Sequence, residues 1–266
     1  MKQTTDSKKT TVSEQPDIYT LKISRLTIDK LGVKLYDKIS AVVAEMIANS
    51  YDADAEVVNV RLPLNTVLAS VQKSNENAAG SDSANENGKL YEIVVEDDGH
   101  GMTPREAQDY FLEVGRDRRA VPAQSRSRTK KRAVMGRKGI GKLAPFGVCK
   151  RIEVISAGGE KTKVGYLVSH FFMDYENIVT PSDKPALLET GKLNKTYSDK
   201  AGTTVRLTNF LPKRVPDKES FHRQLAARFV FADPKFNIIV EDTRNPAENP
   251  RSRSNQLPFQ LMRIRK

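Results

Sequence analysis

AEMIANSYDADA, residues 44–55, is the stretch on which the reading of this chain turns. Ile39, Val42, Val43, Met46 and Ile47 recur at helical spacing and predict an amphipathic helix from Asp37 to about Ala53. Glu45, Asn49 and Asp52 stand at i, i+4 and i+7, so they share an adjacent face of that helix. A carboxylate and an amide one turn apart suit two tasks in one place. Glu45 can polarise an attacking water, and Asn49 can offer its carbonyl oxygen to Mg2+, which favours oxygen ligands. Asp52 would support the same site through water or through a contact with its wall. Alone, any Glu-x-x-x-Asn reads equally as a solvated helix face.

Two later segments supply what the helix lacks. In VEDDGHGMT, residues 95–103, a strand from Leu90 to Glu96 runs straight into the turn. It delivers Asp98 at its end, where Gly99 and Gly101 permit a sharp bend. A buried carboxylate there can accept the exocyclic amine of adenine, although Asp-Gly is also a common surface turn, and His100 reads as a solvated turn residue. MGRKGIGKLAPFGV, residues 135–148, satisfies G-x-x-x-x-G-K, but a P-loop needs Ser or Thr where Leu143 stands. It also needs a buried strand where TKKRAVM is mostly charged. The dinucleotide-binding fingerprint lacks that strand too. What remains is Gly136, Gly139 and Gly141 at G-x-x-G-x-G spacing, whose N–H groups can approach phosphate oxygens.

Bulk properties bound the alternatives. With 266 residues, 38% hydrophobic and 29% charged, the chain can bury a proper core. No apolar run approaches the ~20 residues of a membrane span, and the N-terminus carries no signal-peptide core. A single cysteine, Cys149, excludes an internal disulfide framework and points to the cytoplasm; in GVCKRIEVIS it reads as a buried structural thiol. The net charge is +11, and between Arg105 and Lys142 twelve Lys/Arg face four Asp/Glu. Such a cluster marks either a basic loop over bound phosphates or a surface for nucleic acid or an acidic partner.

Along the chain, residues 1–17 read as a disordered arm, and apolar positions over 18–35 (Ile18, Leu21, Ile23, Leu26, Ile28, Leu31) are placed to pack back on a core. Residues 69–89 are a low-hydrophobicity insertion read as disordered. Strands are predicted over Glu56–Leu64, Ile152–Ala157, Lys163–Asp174, Thr203–Thr208 and Phe236–Val240. Helices are predicted near Pro104–Val114 and over Ser220–Val230. Residues 181–200 read as a polar excursion, and 243–266 as a basic tail that would begin a further region.

E-x-x-x-N-x-x-D-A, D-x-G-x-G, G-x-x-G-x-G and a Gly-Thr before a strand (Gly202–Thr203), in this order, resemble the GHKL superfamily: gyrase B subunits, heat-shock chaperone ATPases, histidine kinases and MutL. The wording of the segments is most similar to prokaryotic chaperone-like and MORC-like ATPases. The resemblance implies the Bergerat ATP-binding fold over residues 18–242, an α/β two-layer sandwich whose mixed, largely antiparallel sheet is covered by helices on one face. It implies ATP and Mg2+ as cofactors, with Glu45 as general base and Asn49 as metal ligand. Asp98 would bind the adenine amine, Thr203 would bond beside it, and Gly99, Gly101 and Met102 would shape the base pocket. Residues of about 104–142 would form an ATP lid, in which Gly136, Lys138, Gly139, Ile140, Gly141 and Lys142 close on the phosphates. The implied activity is slow ATP hydrolysis serving as a nucleotide-gated switch, with an ATP-dependent homodimer and a DNA or protein client as candidate partners.

Two departures temper that activity. Relatives supply a further Lys or Arg to the γ-phosphate from a following domain, for which this sequence has little room, so binding is expected to exceed turnover. The insertion at 69–89 lies away from the motifs and should be dispensable. A histidine-kinase reading is poor because His100, His170 and His222 all follow the Glu45 helix. The competing class is a nucleic-acid-binding module using the basic lid and tail, with a vestigial pocket; it predicts steeply salt-dependent DNA affinity without ATP.

Overall fold

The computed structural model describes residues 18–21, 36–68, 91–113, 126–136, 141–179, 185–230 and 233–244. The expectations for the arm at 1–17, the insertion at 69–89 and the tail beyond residue 244 fall outside them. So do four of the six apolar positions named over 18–35. Of the two that are described, Leu21 is buried but Ile18 is exposed, and the intervening Tyr19 goes inside instead.

The predicted helix is α1, Ile39–Asp52. Its first turn lacks a side-chain cap, since Lys38 stands at the N-cap. That omission costs about 1 kcal/mol. Burying Val42, Val43, Met46 and Ile47 returns about 1.5–3 kcal/mol each, so packing rather than capping fixes α1.

The strands are β1 (Thr20–Leu21), β2 (Val57–Leu62), β3 (Val67–Leu68), β4 (Ile93–Asp97), β5 (Cys149–Thr162) and β6 (Gly165–Asp174). They continue with β7 (Ala186–Leu187), β8 (Glu189–Thr190), β9 (Tyr197–Ser198), β10 (Gly202–Phe210), β11 (Lys213–Arg214) and β12 (Asn237–Asp242). Eight of them form one sheet in the order β12-β2-β4-β10-β5-β6-β8, with β9 also pairing β6. Only β12 against β2 is parallel; the other pairings are antiparallel. The excursion over 181–200 is thus partly structured, because three of its short segments find strand partners.

Alternation along the strands separates the two faces. Val58, Val60, Ile93, Val95, Ile152, Val154, Phe171, Met173 and Leu207 join the core beneath α1. The opposite face carries a ladder of ion pairs. Arg61 meets Glu96 at 3.1 Å, and Arg206 meets Glu92 at 3.1 Å and Glu153 at 2.7 Å. Glu153 also meets His170 at 3.0 Å, and Arg151 meets Asp174 at 2.7 Å.

The remaining helices are α2 (Pro104–Glu106), which passes into a π-helical turn at Ala107–Phe111, then α3 (Tyr175–Val179) and α4 (Lys218–Arg228). Thr103 and Glu106 close a capping box on α2, and Leu112 donates back to the Ala107 carbonyl at 2.9 Å. α4 is capped by Asp217 and buries Phe221 and Leu225; its Gln224 accepts a hydrogen bond from Ser40 of α1. The apolar LAPFGV run forms a 3-10 helix, Gly141–Gly147, against α1. Cys149 is buried and reduced, and burial pushes its thiol well above the usual range. Among the described residues, no helix is long and apolar enough to cross a membrane.

Candidate functional site

A cavity of about 840 Å³ opens between α1, the sheet and the glycine segment, within the range of small-molecule sites. Glu45, Asn49 and Asp52 all line it, so the helix face read from their spacing does turn to one hollow.

At the sheet end, the structure corrects the choice of aspartate. Asp98 is exposed and turned away from the cavity; its Oδ1 accepts the backbone N–H groups of Glu56 at 2.7 Å and Val57 at 2.9 Å. Asp97 lines the cavity instead. Strand parity decides this: Val95 faces the helix layer, so Asp97 must, and Asp98 cannot. Asp97 accepts from Ser50 Oγ at 2.7 Å, Gly99 N at 3.0 Å and Thr203 N at 3.2 Å. Burial, reinforced by the neighbouring Asp98, nevertheless outweighs these donors and pushes its carboxyl up to about 6.

Thr203 sits opposite Asp97 in the β10–β4 register, lines the cavity, and shares a 2.8 Å hydroxyl contact with Ser156. Ser156 Oγ also accepts the N–H of Met102 at 2.9 Å, which holds that side chain at the cavity wall. Gly99 and Gly101 shape this wall from behind rather than lining it. Gly101 has φ +60°, and a Cβ there would lie 1.8 Å from the Ala157 carbonyl oxygen, so no other residue fits. His100, read as a solvated turn residue, is a lining residue whose Nδ1 lies 2.7 Å from the Gly101 oxygen.

A further wall is built where α1 stops. Asp52 accepts the N–H groups of Met135 at 2.7 Å and Gly136 at 3.0 Å, so its role is a direct wall contact. Asp54, at φ 66°, accepts from Thr129 N at 2.6 Å, Thr129 Oγ1 at 2.8 Å and Lys130 N at 3.1 Å. Burial would raise its carboxyl, but hydrogen bonds from Ser127, Thr129 and Lys130 win and hold it below the usual range. Arg132 lies over the Tyr51 ring at 4.7 Å, donates to the Ala55 carbonyl at 2.6 Å and pairs with Asp233 at 3.2 Å. Residues 126–136 are therefore clamped to the end of α1. Much of their charge is spent internally, since Arg128 also pairs with Glu106 and Lys130 with Glu56.

Gly141 packs so closely on Glu45 that a Cβ would lie 2.7 Å from Oε2. Lys142 lines the cavity, with its ammonium donating to the carbonyls of Tyr110 at 3.0 Å and Glu113 at 2.7 Å. Lys138, Gly139 and Ile140 lie outside the described residues. Sequence reasoning missed Tyr36, Arg228 and Phe229, which complete this end of the cavity. Arg228 Nη1 stands 3.4 Å from Glu45 Oε1. Burial, then the charge of Glu45 and a hydrogen bond to it, raise the Tyr36 phenol. Arg228 and Phe229 come from a segment far from any motif, so only the fold brings them in, whereas Tyr36 stands just before α1.

Asn49 is exposed to the cavity and offers a single amide oxygen. Among the described residues no cluster of three or more His, Cys, Asp or Glu is placed to cage a metal. That donor set fits Mg2+, which binds through one or two protein oxygens together with substrate phosphates.

Residues 36–203 match the family model described as histidine kinase-, DNA gyrase B- and HSP90-like ATPase. Over 245 residues the chain is 27% identical to the "Putative type II restriction enzyme HgiDII" of Herpetosiphon aurantiacus, covering 91% of this chain and 34% of that protein. The chain thus spans about a third of the length of that curated relative. A match over most of the chain, on a fold that gathers Glu45, Asn49, Asp97, Gly141 and Thr203 around one hollow, places this protein in the GHKL family of ATP-binding domains.

Proposed function

We propose that the cavity binds Mg-ATP and hydrolyses it slowly, serving as a nucleotide-gated conformational and dimerisation switch. The observation that carries this reading is the convergence of Glu45 and Asn49 with Asp97, Thr203 and Met102 on one cavity. Asp97 accepts the exocyclic amine of adenine, and Thr203 and Met102 bound the ring. Asn49 would hold Mg2+ through its amide oxygen, and the ion would supply charge neutralisation to the phosphates. Glu45 takes the proton from a water aligned with the terminal phosphoryl group. Phosphoryl transfer needs little more than this positioning and charge neutralisation. An ATP-dependent dimer is the natural output of such a switch.

Calorimetry of ATP, ADP and GTP with and without Mg2+ tests the binding reading. Adenine nucleotides should bind and GTP should not. Glu45→Ala should keep ATP and lose turnover by about 10²–10⁴-fold, whereas Asn49→Ala should lose the Mg2+-dependent part of the affinity. Equal hydrolysis by wild type and Glu45→Ala would remove the assigned base.

A DNA client for the switch is supported by the net charge of +11 and by the name of the relative, a "Putative type II restriction enzyme". Salt-dependent duplex binding that changes with ATP would favour a gated DNA function. The same binding without any nucleotide affinity would favour a purely electrostatic module.

A further inference from the structure

We infer that Arg228 is a cation supplied by this chain itself that exchanges partners, pairing with Glu45 and turning to the terminal phosphate when ATP enters. The inference rests on the ATP-binding reading above and adds a specificity-determining residue to it.

Arg228 closes α4, and the helix leaves it little freedom to be elsewhere. Phe221, Leu225 and Arg228 stand at i, i+4 and i+7 on one face of α4, the first two buried in the core, and Gln224 is tied to Ser40 of α1. The guanidinium therefore projects from a fixed base onto the Glu45 end of the cavity, 3.4 Å from Oε1. Glu45 is contacted from three sides there: by Arg228, by the Tyr36 hydroxyl, and by Gly141, whose absent Cβ would fall 2.7 Å from Oε2. A carboxylate engaged by a guanidinium is badly placed to act as a base, because the cation occupies the lone pairs a water would use. The pair is weakly held, however. The side chains are 47% and 25% exposed, and exposed pairs contribute little stability.

A triphosphate entering beside Gly141 brings more negative charge to the same few ångströms than one carboxylate. Arginine matches phosphate oxygens with a planar fork of donors, so the incoming anion outcompetes Glu45. The exchange frees the carboxylate at the moment a terminal phosphate is present, and it places a positive charge where the leaving phosphoryl group develops negative charge. ADP, lacking that phosphate, would leave the Arg228–Glu45 pair closed. The other cavity cation described here, Lys142, has its ammonium engaged by the carbonyls of Tyr110 and Glu113.

The test compares Mg-ATP and Mg-ADP affinities by calorimetry for the wild-type chain, Arg228→Ala, Arg228→Lys and Glu45→Gln, with turnover measured alongside. Arg228→Ala should lose about tenfold or more in ATP affinity, the scale of one charge-assisted hydrogen bond, while ADP affinity stays unchanged. Its turnover should fall by on the order of 10³-fold, as for a cation supplied to a transferring phosphoryl group. Arg228→Lys should recover part of both. Glu45→Gln should bind ATP more tightly than wild type, because the competing carboxylate charge is gone. Equal changes in ATP and ADP affinity on Arg228→Ala, or none, would reduce Arg228 to a structural ion pair and overturn the inference while leaving the ATP-binding reading intact. Absence of nucleotide binding in the wild type would overturn both.

Discussion

Asp97 and Asp98 are chemically identical neighbours with opposite fates, and one peptide bond of strand geometry separates them. Asp97 reaches the cavity with its carboxyl raised to about 6; Asp98 staples the start of β2 from outside. Asp97→Asn should therefore cost ATP affinity about 1.5–3 kcal/mol, the value of a hydrogen bond to a charged acceptor. Asp98→Asn should leave it unchanged, since an amide oxygen still accepts the two N–H groups. Stability should follow pH in the corresponding sense. A carboxyl whose folded pKa lies above its unfolded value near 3.8 contributes stability fully below that value and loses it as pH rises through about 6. Thermal melts of the ligand-free protein should show Asp97→Asn gaining on wild type between pH 4 and 7, and a constant difference would refute the assignment. The error over Asp98 was avoidable: counting the alternation from Val95 points to Asp97, whereas reading the motif as an Asp-Gly turn points to its neighbour. Arg228 was not legible in this way, because its place depends on where α4 docks and no local pattern encodes that.

Helix α1 does two jobs at its two ends, and the second was hidden from periodicity. The apolar stripe and the Glu45–Asn49–Asp52 face follow from spacing at 3.6 residues per turn. The clamp does not, because it pairs the end of α1 with residues more than seventy positions later, as in Asp54 with Thr129 and Lys130. Asp54→Asn retains a residue that tolerates positive φ but removes the charge. It should loosen the 126–136 segment by about 1.5–3 kcal/mol, read as faster hydrogen exchange at the Thr129 and Lys130 amides with the α1 amides unchanged. Uniform loss of protection across α1 would mean that the clamp supports the helix rather than the segment. The π-helical turn at Ala107–Phe111 was anticipated only as an ordinary helix, since composition does not distinguish an i→i+5 bond from i→i+4.

Across the whole molecule the sheet divides function from support. One face carries the core and the cavity, and the other carries the ion-pair ladder through Arg206, Glu153 and His170. Glu153→Ala would leave a mostly buried imidazole and a guanidinium without their shared acceptor. Denaturant titration should show a loss of about 1–3 kcal/mol, while ATP affinity stays constant. A parallel loss of affinity would show that the two faces are coupled. The layered architecture and its helix-covered sheet were legible from the motif order, because the fold is what brings those motifs together. The short pairings of β7, β8 and β9 were not, because two-residue segments carry no period to detect.

One consequence follows from where the two halves of the cavity are mounted. The seat around Asp97 and Thr203 belongs to interior strands locked in register, whereas the opposite end is assembled from side chains of two helices, Glu45 of α1 and Arg228 of α4, beside Gly141. On the proposed function, choice of nucleobase would fall to the strands and the count of phosphates to the helices, so identity and energy state would be read by separate instruments within one molecule.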